Sequence, residues 1–170
     1  MARLQSLRTT MQPRLLSDTA SLRVRPGGPV TGNICLQIND CHFPSPGWND
    51  FVVVVMGWWA TALLRLEQGQ STHERVPFMD GPYAVELTMV SPAVLRFRAL
   101  QDENRNTEVA SGDGALGVFI ADLIVQGRAV LAACQRLNGW SKDAAQLEIA
   151  LEDLTKLSRS NNFKDGHTGL

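Results

Sequence analysis

Residues 47–66 read GWNDFVVVVMGWWATALLRL, and this run constrains the fold more than any other part of the chain. Its apolar part, 51–64, is closed by Asp50 on one side and Arg65 on the other. A membrane-spanning helix needs about 18 or more nearly uninterrupted apolar residues. A span here would also draw Asn49, Asp50 and Arg65 into or against lipid, which is costly, so the run is not read as one. The valines at 52–55 favour a strand by local propensity, yet the run is too long for an ordinary strand and does not alternate. Flanking residues decide for a helix. Ser45-Pro46 offers an N-cap with proline at the first helical position, Asn49 and Asp50 offer a second start, and Gln68-Gly69 a stop. At helical spacing Phe51, Val54, Val55, Trp58, Ala62 and Leu66 align, with Trp59 and Leu63 beside them. A nearly all-round buried central helix is expected, with Trp58 on its core stripe.

Segments around this run alternate apolar and polar residues, the pattern of strands with one face on a core. In SLRVR, Leu22 and Val24 oppose Arg23 and Arg25; in NICLQIND, Ile34, Leu36 and Ile38 form the inner set. Tyr83, Val85, Leu87 and Met89 repeat the pattern, as do Leu95, Phe97 and Ala99 against Arg96 and Arg98. Ser91-Pro92 turns between these two segments, and a further arm covers 107–110. The expectation is an α+β fold: a mainly antiparallel sheet of about five strands on the central helix. After SGDG, read as a flexible lead-in, the period becomes 3.6. Leu116, Phe119, Ile120, Leu123, Ile124, Leu131, Cys134 and Leu137 mark a long helix ended by Asn138-Gly139. Ser141 caps a second helix carrying Leu147, Leu151 and Leu154, which completes a C-terminal helical hairpin. The expected division is a flexible lead over 1–17, one domain over 18–160 (sheet and central helix to 113, hairpin from 114) and a frayed tail over 161–170.

A chain of 170 residues is about one domain long, enough to bury roughly 70% of its unfolded surface. With 19% charged residues and a net charge of −1, it lacks the electrostatic footprint of a nucleic-acid binder. Cys35, Cys41 and Cys134 are an odd number without disulfide spacing, which fits free thiols in the cytoplasm. No paired CxxC spacing accompanies His42, so no metal is assigned. The glycines of GGPVTGN and SGDGALG follow neither phosphate-binding pattern, so no cofactor is assigned. Cys41, His73 and Asp80 hold the residue types of a nucleophile, a base and an orienter, but Cys41 sits at no helix N-terminus or elbow that would activate it. A small cysteine- or carboxylate-dependent hydrolase is one alternative reading. A homo-oligomeric scaffold joined through the hairpin is another.

One layout stands out. GNICLQINDCHFPSPGWNDFVVVVMGWWATALLRL is followed, after a polar loop, by VPFMDGPYAVEL. A strand, a short FP segment, a tryptophan-acid pair opening a long apolar helix and an MDGPY corner resemble small bacterial immunity proteins of toxin–immunity systems, over roughly 32–100. The resemblance implies a non-enzymatic module that neutralises one cognate protein toxin by direct binding. Exposed aromatic and charged residues near loops are then the expected contacts, since a few anchors dominate affinity: Trp48, Asn49, Asp50, Asp80, Tyr83 and Trp140. Arg96 and Arg98 join them because Arg23, Arg25, Arg96 and Arg98 are expected to share the open face of the sheet.

Overall fold

The computed structural model describes residues 11–25, 28–101 and 107–165, with side chains described to residue 160. Its elements are β1 (Arg14–Val24), β2 (Val30–Ile38), β3 (Cys41–Phe43), β4 (Asn49–Asp50), α1 (Val52–Glu67), β5 (His73–Pro77), β6 (Tyr83–Ser91), β7 (Val94–Gln101), β8 (Thr107–Ala115), α2 (Leu116–Arg136) and α3 (Lys142–Asp165). The α+β class and antiparallel pairing expected from the sequence are observed. The strands form two four-stranded sheets rather than one of about five. In the first, β2 is central, with β1 on one edge and the short β3 and β4 in tandem on the other. The second is a meander in the order β5-β6-β7-β8.

Both sheets turn apolar faces onto a single core. Ile34, Leu36 and Ile38 of the first sheet, and Val85, Leu87, Leu95, Phe97 and Ala99 of the second, belong to it. These are the inner sets that the alternation predicted. Phe119 of α2 joins the second sheet to α1, its ring 4.8 Å from Phe97 and 5.4 Å from Trp59. Polar clamps fix the helices from outside. Arg14 pairs with Asp122 at 3.0 Å, and Gln126 Oε1 accepts from both the amide and the hydroxyl of Ser17. Arg65, at the end of α1, reaches Glu74 of β5 at 2.8 Å.

Several expectations are corrected. The lead expected to be flexible over 1–17 contributes Arg14 to Ser17 to β1, while residues 1–10 lie outside the described residues. The tail expected from 161 is helical to Asp165, and 166–170 lie outside the described residues. The polar loop before Val76 contains β5, paired along its length with β6. SGDG is not a lead-in but the body of β8. Its inner positions are glycines because the first sheet comes too close for side chains: a Cβ at Gly112 would stand 2.9 Å from Ile38, and one at Gly114 2.7 Å from Pro13. The Gln12 carboxamide then pairs with both peptide groups of Ala115, donating to its carbonyl and accepting from its N–H, as a neighbouring strand would.

The central helix starts later than expected and is rotated. Ser45 caps nothing; its carbonyl accepts from the Trp48 amide in a turn, and Asn49 and Asp50 form β4 instead of a helix start. α1 begins at Val52 and buries Val52, Val55, Met56, Trp59, Ala62, Leu63 and Leu66. Trp59 is therefore the core tryptophan at 0% exposure, and Trp58, at 37%, faces outward. At the other end Gly69 supplies the stop at φ +68°, a conformation that glycine adopts without strain. α2 ends with Asn138 at φ +53°, and the Ser141 hydroxyl accepts from the Ala144 amide at 3.2 Å, so α3 is capped as predicted. α2 is, among the described residues, one helix long and apolar enough to cross a membrane, with mean hydropathy 1.7; half of it is buried inside the fold.

Candidate functional site

Pairing of β4 with β2 sets Asp50 opposite Gly32 and carries its side chain inward. At 2% exposure it is the one buried charged residue among those described. A carboxylate out of water must have its lone pairs filled, and four donors converge on this one. Oδ1 accepts from the Phe51 amide at 2.7 Å; Oδ2 accepts from Trp48 Nε1 at 3.3 Å and from the amides of Met79 and Asp80 at 3.1 and 3.3 Å. Asp50 thus ties the entry of α1 to the β5–β6 turn, some 30 residues later in the chain.

That turn is built around an aromatic stack. Gly81 adopts φ +73°, and the Tyr83 ring lies over it so closely that a Cβ would stand 2.6 Å from Cε2. Tyr83 meets Trp48 edge-on at 5.1 Å and Phe43 at 5.6 Å, and Phe43 meets Phe78 at 5.9 Å. Such edge-to-face pairs add to burial and fix ring orientation. Trp48 and Tyr83 are left half-buried, Met79 stands 46% exposed beside them, and Asn49 and Asp80 are exposed at the rim. Asp80 gives only its amide to the turn; its carboxylate has no partner among the described residues. Trp48, Asn49, Asp50, Asp80 and Tyr83 are therefore brought together, as an apolar platform over a locked carboxylate. Met79 was legible only as part of the MDGPY corner.

The remaining candidates lie elsewhere. Arg96 and Arg98 do project from the outer face of the second sheet, but Arg23 and Arg25 do not share it: Arg23 is on β1 of the first sheet and Arg25 follows that strand. Nor is the face an open cationic surface. Arg96 forks onto Asp113 at 2.8 and 2.9 Å, and Arg98 bridges Glu108 and Glu86 at 2.7 Å each. Hydrogen bonding to these arginines holds the carboxyls of Asp113 and Glu108 below their ordinary range. Trp140, 39% exposed in the α2–α3 connection, stacks on no other ring among the described residues.

Cys41, His73 and Asp80 do not meet as a catalytic set. Cys41 opens β3 of the first sheet, whereas His73 and Asp80 lie beyond opposite ends of the β5 interior, and His73 Nδ1 is engaged with the Thr88 hydroxyl at 3.0 Å. Burial pushes the Cys35 and Cys134 thiols up, which keeps both protonated and unreactive. No group of three or more histidine, cysteine or acidic side chains suited to a metal occurs among the described residues. In comparisons with known proteins, no family model, no curated protein and no solved structure matches the chain.

Proposed function

We infer that the protein is a non-enzymatic binding module whose partner docks on the Trp48–Met79–Tyr83 platform, and that this partner is a cognate bacterial toxin which it neutralises in the cytoplasm. The observation that carries the docking site is the locking of the platform by Asp50. Preorganised aromatic side chains lose little freedom on binding and are enriched among interface anchors. The identity of the partner rests on the resemblance of residues 32–100 to immunity proteins. Met79→Glu puts a charge beside the Trp48 and Tyr83 rings on a side chain that is 46% exposed and contributes little to the core. It is expected to weaken a complex with the toxin encoded beside this gene by at least about tenfold, with an unchanged melting temperature, as read by calorimetric titration. Undiminished affinity in that variant would rule the platform out, and a neighbourhood without a toxin gene would remove the toxin.

A second reading, the homo-oligomeric scaffold, is favoured by one observation. Val118 and Val125, one heptad apart on α2, are 55% and 67% exposed. Paired α2 faces in a dimer would cover them. Light scattering is then expected to give twice the 18.6 kDa chain mass, reverting to one mass in Val125→Glu; a monomer at all concentrations sinks this reading.

A further inference from the structure

Where α1 and α3 run side by side they leave a solvent-open cavity of about 370 Å³, whose polar and aromatic lining residues are exposed. Trp58, turned out of the core, lines it together with Gly57 and Thr61 of α1 and Asp143 and Gln146 of α3. Gly57 lies inside a helix, where glycine is weaker than alanine, and no packing demands it: a Cβ there would meet nothing within 4 Å. Its missing side chain leaves that stretch of the cavity unfilled.

The polar groups of the cavity are of one kind. The Asp143 carboxylate and the Gln146 carboxamide, both exposed, have no protein partner among the described residues. The Thr61 hydroxyl donates to the Gly57 carbonyl at 2.9 Å and so keeps acceptor capacity of its own. No lysine or arginine lines the cavity, in contrast to the arginine ladder of the second sheet, where each acid named above has its cation. An acid in the first turn of α3 suits the helix dipole by itself. That does not account for an indole and an open notch beside it.

We propose that this cavity binds an alkylguanidinium group, stacked on the Trp58 indole and held by the Asp143 carboxylate. A guanidinium is planar, carries a fork of donors that matches a carboxylate, and packs on aromatic faces; an ammonium has neither the plane nor the fork. Thr61 and Gln146 supply acceptors for its remaining N–H groups. The site is separate from the Trp48 platform and does not depend on it.

The test is titration of the ¹⁵N-labelled full chain, following the indole N–H resonance that disappears in Trp58→Phe. N-acetyl-arginine methylamide is expected to move that resonance saturably, and its neutral isostere N-acetyl-citrulline methylamide to bind at least about tenfold more weakly. Asp143→Asn should weaken the arginine probe by a similar factor. Gly57→Leu, which fills the notch, should abolish the response without lowering the melting temperature. Ethylguanidinium separates the two sources of the group: equal affinity marks a free cation as sufficient ligand, and tighter binding of the arginine probe marks a chain arginine. No saturable shift with either cation, or equal affinity in Asp143→Asn, overturns the proposal.

Discussion

Trp59→Ala will destabilise the protein by about 3–5 kcal/mol, whereas Trp58→Ala will cost less than about 1 kcal/mol. The two residues are neighbours in sequence and chemically identical, so the difference is set by which side of α1 each occupies. Trp59 is 0% exposed and packs on Phe119 of α2. Its removal leaves a cavity that the surrounding strands can close only in part. Trp58 borders a space that is already open. Trp59 also carries a cost of its own, because its indole N–H is buried without an acceptor among the described residues; an orphan donor of this kind costs about 1–3 kcal/mol. Trp59→Phe deletes that donor together with part of the ring, so its loss should be well below that of the alanine variant. Urea denaturation of the three variants checks the order, and equal midpoints for Trp58→Ala and Trp59→Ala would overturn the assignment of the core face.

The difficulty of phasing this helix from sequence has a physical origin. An amphipathic helix reports its buried side through its polar residues, and residues 51–64 contain only Thr61 outside the apolar and glycine set. A stripe through Val54, Val55 and Trp58 and one through Val55, Met56 and Trp59 are then almost equally apolar, and the choice falls to the neighbours. α2 failed to mislead because Gln126, Arg128 and Gln135 mark its outer side, and the residues predicted from its period are buried except Leu137, which caps the helix and is 45% exposed. Among strands, β2, β6 and β7 were legible through alternation, while β8 was read only over 107–110 and its second half was missed. Its inner positions hold Gly112 and Gly114, chosen by the approach of the first sheet rather than by burial of apolar surface. β5 was hidden for the opposite reason, since only Val76 of its five residues is buried.

The candidate site divides along the same line. Trp48, Asn49, Asp50, Asp80 and Tyr83 could be nominated individually from turn and cap positions. That they form one cluster depends on hydrogen bonds between segments about 30 residues apart, which local pattern does not encode. By local pattern Asp50 reads as a helix start, and the structure gives it a different task. Its Oδ2 gathers the indole and the β5–β6 turn, so it is a positioning residue for the platform rather than a contact on it.

Asp50→Ala is accordingly expected to cost about 2–4 kcal/mol, and to reduce partner binding beyond what the stability loss explains. Four donors lose their acceptor at once, and those at Met79 and Asp80 are half-buried, so water replaces the carboxylate only incompletely. Asp50→Asn discriminates between charge and shape. If the amide places its oxygen at the Oδ2 position it can still serve Trp48 and the turn, but its NH₂ group then faces the Phe51 amide, two donors with no acceptor between them. Asparagine should thus recover part of the stability and most of the near-ultraviolet circular dichroism from Trp48 and Tyr83, while alanine recovers neither. Binding measured where both variants are more than nine-tenths folded, a condition chosen from their own denaturation curves, then reads platform geometry alone. Wild-type affinity in Asp50→Ala under that condition would show that Trp48 and Tyr83 hold their places without the carboxylate, or that the partner does not use them.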